Sequence, residues 1–76
     1  MRLSVIPDDN TVCIDGLCKT GIDMSSIAPN VHAFQWYETW GDLEIVNSET
    51  GKPENIKVHS LDDFQDVINQ WENMNS

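Results

Sequence analysis

Only one segment of this 76-residue chain carries a helical period. In "SLDDFQDVINQWENMN", Leu61, Phe64, Val67, Ile68 and Trp71 recur at three- and four-residue steps, which sets them on a single stripe. Ser60 is a good N-cap residue, Asp63 stands in the capping-box position, and Asp62 and Asp66 suit the positive end of the helix dipole. Everything before this segment reads as strands and turns, so the stripe can bury itself only against a sheet. The pattern predicts an α+β fold in one domain over 1–76: a small antiparallel β-meander of about five short strands in 1–59, packed by one C-terminal helix over 60–75. Burial of Phe64 and Trp71 stabilises by roughly 2–3 kcal/mol each. That is large beside a total of about 5 kcal/mol for so small a domain.

The first twenty residues set a register. "LSVI" and "TVCI" flank "PDDN", a turn cluster with Pro ahead of Asp and Asn. With Pro7 to Asn10 as the loop, Val5 stands opposite Val12 and Leu3 opposite Ile14, and all four share one face. Asp15-Gly16 is a two-residue hairpin signal, because both residue types tolerate positive φ. It places Ile14 opposite Leu17 and Cys13 opposite Cys18. "GIDMSSIAPN" reads as an irregular connector carrying Ile22, Met24 and Ile27 inward. "SETGKPEN" is a surface loop, and "IKVH" a short edge strand.

"VHAFQWYETWGDLEIV" holds four of the six aromatic residues. Its halves are strand-like, and Gly41 is the natural left-handed residue for a four-residue hairpin over "ETWG". In that register Trp36 faces Leu43, Phe34 faces Ile45 and Gln35 faces Glu44. Phe34 and Trp36 are then core. Tyr37 points to the other face with Val31, Ala33 and Val46, and Trp40 sits at the turn. His32 shares the parity of Phe34 and Trp36, which predicts a partly buried, hydrogen-bonded histidine.

Thirteen acidic residues against four basic ones give a net charge of −9. Binding nucleic acid directly needs cations to displace phosphate counterions, so that class is excluded as an expectation. The opening "MRLSVIPDDN" lacks the apolar core of a secretory leader, and no run is long enough to span a bilayer. The expectation is a product of the cytoplasm with no membrane partner.

Cys13 and Cys18 admit three states. A cytoplasmic setting favours two reduced thiols, a disulfide across the hairpin is the second option, and a metal site is the third. Cys13, Cys18, His32 and His59 are four nominal zinc ligands, but the two histidines lie 27 positions apart and lack finger spacing. No metal or other cofactor is expected. No nucleophile has a sequence-local base, and neither a phosphate-binding glycine loop nor H-E-x-x-H occurs. No catalytic residue is assigned, and the chain is read as non-enzymatic. Trp40 is the foremost contact residue, since tryptophan is enriched in interface hot spots. Tyr37 on the second face and Met74 beyond Trp71 join it.

Taken together, "LSVIPDDNTVCIDG", "GIDMSSI", "VHAFQWYETWG", "GKPENI" and "LDDFQDVINQWE" resemble a group of small tailed-bacteriophage proteins often encoded among virion and tail-fibre genes. The resemblance spans nearly the whole chain, and its most specific element is the VHA-x-QWY motif. It implies a virion or tail-associated structural protein, made in the host cytoplasm and located in the virion. Its implied partners are other phage virion or tail proteins, or further copies of the chain. The alternative is an acidic inhibitor of a host defence or nucleic-acid-binding protein, presenting Asp8, Asp9, Asp62, Asp63 and Asp66. On either reading Trp71→Ala is expected to unfold or badly destabilise the domain, and an unchanged melting temperature would mean that the helix is not docked.

Overall fold

The computed structural model describes residues 1–74. Six strands, β1 (Arg2–Ile6), β2 (Thr11–Ile14), β3 (Leu17–Lys19), β4 (Val31–Tyr37), β5 (Gly41–Val46) and β6 (Pro53–Val58), form one antiparallel sheet in the order β3-β2-β1-β4-β5-β6. One helix, α1 (Gln65–Asn73), follows. The α+β architecture is the expected one, with six strands where about five were counted. Two three-stranded meanders lie back to back, joined where β1 pairs with β4.

The amino-terminal register is the expected one. Leu3 pairs with Ile14, Val5 with Val12, Ile14 with Leu17 and Cys13 with Cys18. Asp15 and Gly16 both take positive φ, at 50° and 87°. The connector after β3 carries the chain back from the outer edge to the centre of the sheet. Ile22 and Ile27 are buried along it and Met24 packs against the core.

The β4–β5 hairpin differs by two residues. Trp36 pairs with Gly41 and Phe34 with Leu43. The loop is only Glu38-Thr39: the Tyr37 N–H donates to the Trp40 carbonyl at 2.7 Å, and the Thr39 N–H reaches back to the Tyr37 carbonyl at 3.0 Å. The left-handed residue is therefore Glu38, at φ 78°, in a γ-turn. Its carboxylate accepts from the Met1 ammonium at 2.7 Å, which lifts that ammonium above the ordinary pKa of a chain terminus. Gly41 serves another purpose. A Cβ there would stand 2.8 Å from the Phe34 ring and 2.9 Å from the Gln35 carbonyl oxygen, so the position is glycine for room rather than for φ. A slip of two preserves parity. Phe34 and Trp36 remain buried.

A bulge between Val31 and Ala33 overturns the reading of His32. One extra residue reverses the alternation. Val31 turns to the core side, and His32 is exposed, with Nδ1 3.8 Å from an Asp8 carboxylate oxygen.

The helix is shorter than its pattern. Ser60 Oγ accepts the Asp62 N–H at 3.1 Å, but Ser60 is not the cap expected of it: the first turn, Asp62–Phe64, is a 3₁₀ turn preceded by Leu61, α1 starts after Phe64 and runs nine residues, and neither start carries a side-chain cap bond. The expected helix's last position, Asn75, lies outside the described residues. Phe64, Val67 and Ile68 are buried, and the Phe64 ring stacks on Phe34 with centroids 3.9 Å apart and planes 5° from parallel. At the other end Trp71 is half-buried. Its indole N–H donates to the Leu17 carbonyl at 3.0 Å. No helix among the described residues is long and apolar enough to cross a membrane.

Gly41→Ala is expected to destabilise the domain by about 1–3 kcal/mol, the usual cost of overpacking, because backbone as well as ring must give way. Urea denaturation checks this, and an unshifted midpoint would mean that the slot between Phe34 and Gln35 is not as tight as described.

Candidate protein-interaction surfaces

The two faces of the sheet have different chemistry. On the second face, away from α1, alternation places Arg2, Ser4, Cys13, Cys18, Gln35, Tyr37 and Asp42. Here Tyr37 and Trp40 pack on each other with ring centroids 4.8 Å apart. The Arg2 guanidinium lies 5.3 Å from the Tyr37 ring, and the Lys57 ammonium 4.8 Å from the Trp40 ring. The result is a ladder of cation, ring, ring, cation. Trp40 is half-buried in it, folded back over the sheet. A cation over a ring at an exposed site contributes about 0.5–1 kcal/mol.

The structure brings Trp40 and Tyr37 together and leaves Met74 apart from them. Met74 is exposed at the carboxyl end of α1, beside the β3 edge and across the sheet from the ladder. The apolar second face expected around Tyr37 shrinks as well, because the bulge removes Val31 from it.

The acidic residues separate into two kinds. Asp8 and Asp9 lie exposed in the 3₁₀ turn after β1, and Asp62 and Asp63 lie exposed in the one before α1. Asp66 is tied into the fold: one carboxylate oxygen accepts from Ser26 Oγ at 3.1 Å and from Gln70 Nε2 at 3.0 Å. Gln70 also clasps the backbone of Asp23, accepting its N–H at 2.8 Å and donating to its carbonyl at 2.9 Å. The Asp23 carboxylate accepts the Ser25 N–H, which with the Ser25 hydroxyl holds its pKa below the ordinary aspartate range. These bonds pin the connector to the helix.

Of the four basic side chains, three lie on rings: Arg2 and Lys57 as above, and Lys19 at 4.0 Å from the Trp71 ring, where it also donates to the Trp71 carbonyl at 2.8 Å. Little mobile positive charge remains to offset the thirteen acids.

A third surface went unread in the sequence. Alternation turns Leu43, Ile45, Ile56 and Val58 to the core side, the side that α1 covers elsewhere. Helix length decides where cover stops. Nine residues span roughly 14 Å. Phe64 sits over β4 and Trp71 reaches β3, three strand spacings or roughly 14 Å away. None of α1 is left to lie over β5 and β6, and the connector flanks that gap with Ser26, Ile27, Ala28 and Asn30. The gap is an open groove of about 690 Å³ lined by Val31, Leu43, Ile45, Ile56, Val58 and Phe64, with His59, Ser60 and Asp63 along its rim. Ile56 is 42% exposed at its outer edge.

Cys13 and Cys18 are joined in a disulfide, against the reduced state that compartment alone favours. They form the non-hydrogen-bonded pair next to a two-residue turn, where side chains come closest. Among the described residues no group of His, Cys, Asp and Glu is placed to hold a metal ion. No family model, curated protein or solved structure matches the chain.

The bridge closes a loop with a sequence separation of 5, for which chain entropy gives about 2 kcal/mol. Reduction is expected to lower the melting temperature without unfolding the sheet. Thermal melts with and without reductant check this, alongside intact-mass measurement of the thiol state. A melt unchanged by complete reduction would deny the bridge any share in stability.

Proposed function

We propose that this chain is a non-enzymatic phage virion or tail-associated protein that acts by docking other proteins of the particle. The observation that carries the docking role is the uncovered apolar groove over β5 and β6, which continues the domain's own core into solvent. Contiguous exposed apolar surface rimmed by polar groups marks interaction sites. The phage setting rests on the resemblance carried by the VHA-x-QWY segment. The ladder of Tyr37 and Trp40 on the opposite face is a second, smaller contact surface.

The charge supports a second reading, an acidic inhibitor of a host protein. With three of four cations held over rings, Asp8, Asp9, Asp62 and Asp63 stand exposed and form its acting surface. Asp66 is exposed as well and stays in that set, its carboxylate also bracing the connector.

Mass spectrometry of purified particles separates the two. The structural protein is expected among the particle proteins. Absence from particles, with a host partner that is released steeply as salt rises, would replace the first reading with the second.

A further inference from the structure

We infer that the free edge of β6 takes up an extended cationic strand from a protein partner, adding a seventh strand to the sheet and extending the outer wall of the groove that lies over β5 and β6. This deepens the docking role proposed above and rests on it.

Three observations converge on that edge. The first is its hydrogen-bonding state. The bond from the Tyr37 N–H to Trp40 fixes the alternation along β5, so Gly41, Leu43 and Ile45 direct their backbone groups to β6. Their partners Val58, Ile56 and Glu54 are thereby engaged. Asn55 and Lys57 point their N–H and C=O groups outward, and only an extended strand satisfies groups at that spacing.

The second is what stands on the core-facing side of the edge. Glu54, Ile56 and Val58 project there at two-residue steps, beside the groove. β6 is exposed over nearly its whole length. Directly opposed side chains on neighbouring strands interact at about 4.5–5.5 Å. An incoming strand therefore meets Glu54 with a cation and Ile56 and Val58 with apolar residues, all on one of its faces.

The third is charge. Lys57, the one cation of β6, is turned to the other face over the Trp40 ring, and Asp63 stands at the groove's rim. A second copy of this chain would bring another nine net negative charges to the same edge. The complementary partner is basic. Pro53, which has no N–H, and Lys57 limit indiscriminate pairing at the edge, as edge strands commonly require.

The test uses the full chain, labelled with nitrogen-15, and the N-acetylated, C-amidated peptide TKTVTVTKT, whose alternating K-V-V-K face reads alike in either strand direction. Saturable amide shifts centred on Asn55, Ile56 and Lys57 are expected. The peptide TETVTVTET is expected to bind at least about threefold more weakly, in keeping with one exposed ion pair. Glu54→Lys, at an exposed position, is expected to reverse the preference between the two peptides. Shifts centred instead on Tyr37 and Trp40, equal binding of both peptides, or a dimer of the chain alone with protected β6 amides would each overturn the proposal. Particle composition is measured separately, so a failed titration leaves the virion reading standing, and absence from particles leaves the strand-addition result intact.

Discussion

The stacked rings of Phe34 and Phe64 fix the rest of the structure. They hold the start of α1 over β4, in the middle of the sheet. From that anchor the helix has one direction and one length. It crosses β1 and β2 and ends with Trp71 clasped at β3, by the indole bond to Leu17 and by Lys19 over the ring. The stack also needs space beneath it, which Gly41 supplies. Anchor, slot and helix length together divide the sheet into four covered strands, β3 to β4, and two open ones, β5 and β6.

That division links packing to function. The four covered strands and α1 enclose an ordinary small core, in which Leu3, Val5, Val12, Ile22 and Val67 are almost completely buried. The two open strands present the same kind of apolar side chain without helix cover, and among the described residues no strand pairs with the outer edge of β6. A domain of this size has little apolar surface to spare, since burial has to balance conformational entropy nearly to zero. Apolar surface left open under that constraint is the feature on which the proposed docking role rests. The second face is the polar counterpart, where cations are spent on Tyr37 and Trp40 and the remaining charge is acidic.

The candidate contacts were only partly legible in the sequence. Trp40 and Tyr37 were singled out from their position at a turn and on the outer parity, and they do lie together there. Met74 was placed with them by extending the helical stripe, but a stripe gives a direction along the helix and not which side of the sheet it reaches. The five acids looked alike as sequence, although Asp66 is held by Ser26 and Gln70 from elements far apart in the chain. The groove had a signal: the alternation of "DLEIVN" and the run "NIKVH" put Leu43, Ile45, Ile56 and Val58 on one side. Whether that side is covered depends on the helix's length against the sheet's width, which no local pattern encodes.

Period-two alternation, the Asp15-Gly16 turn and the helical stripe determined, from the sequence alone, which side chains are inside and that one helix covers one sheet. Those signals are local, and a register slip of two leaves them unchanged. Tertiary structure alone decided the slip itself, the bulge that expels His32 and recovers Val31, the transfer of positive φ from Gly41 to Glu38, and the two strands left bare. Crowding and reach decide two of these: the Phe34 ring lies across Gly41, and nine helical residues, roughly 14 Å, cannot cover six strands spaced over roughly 24 Å.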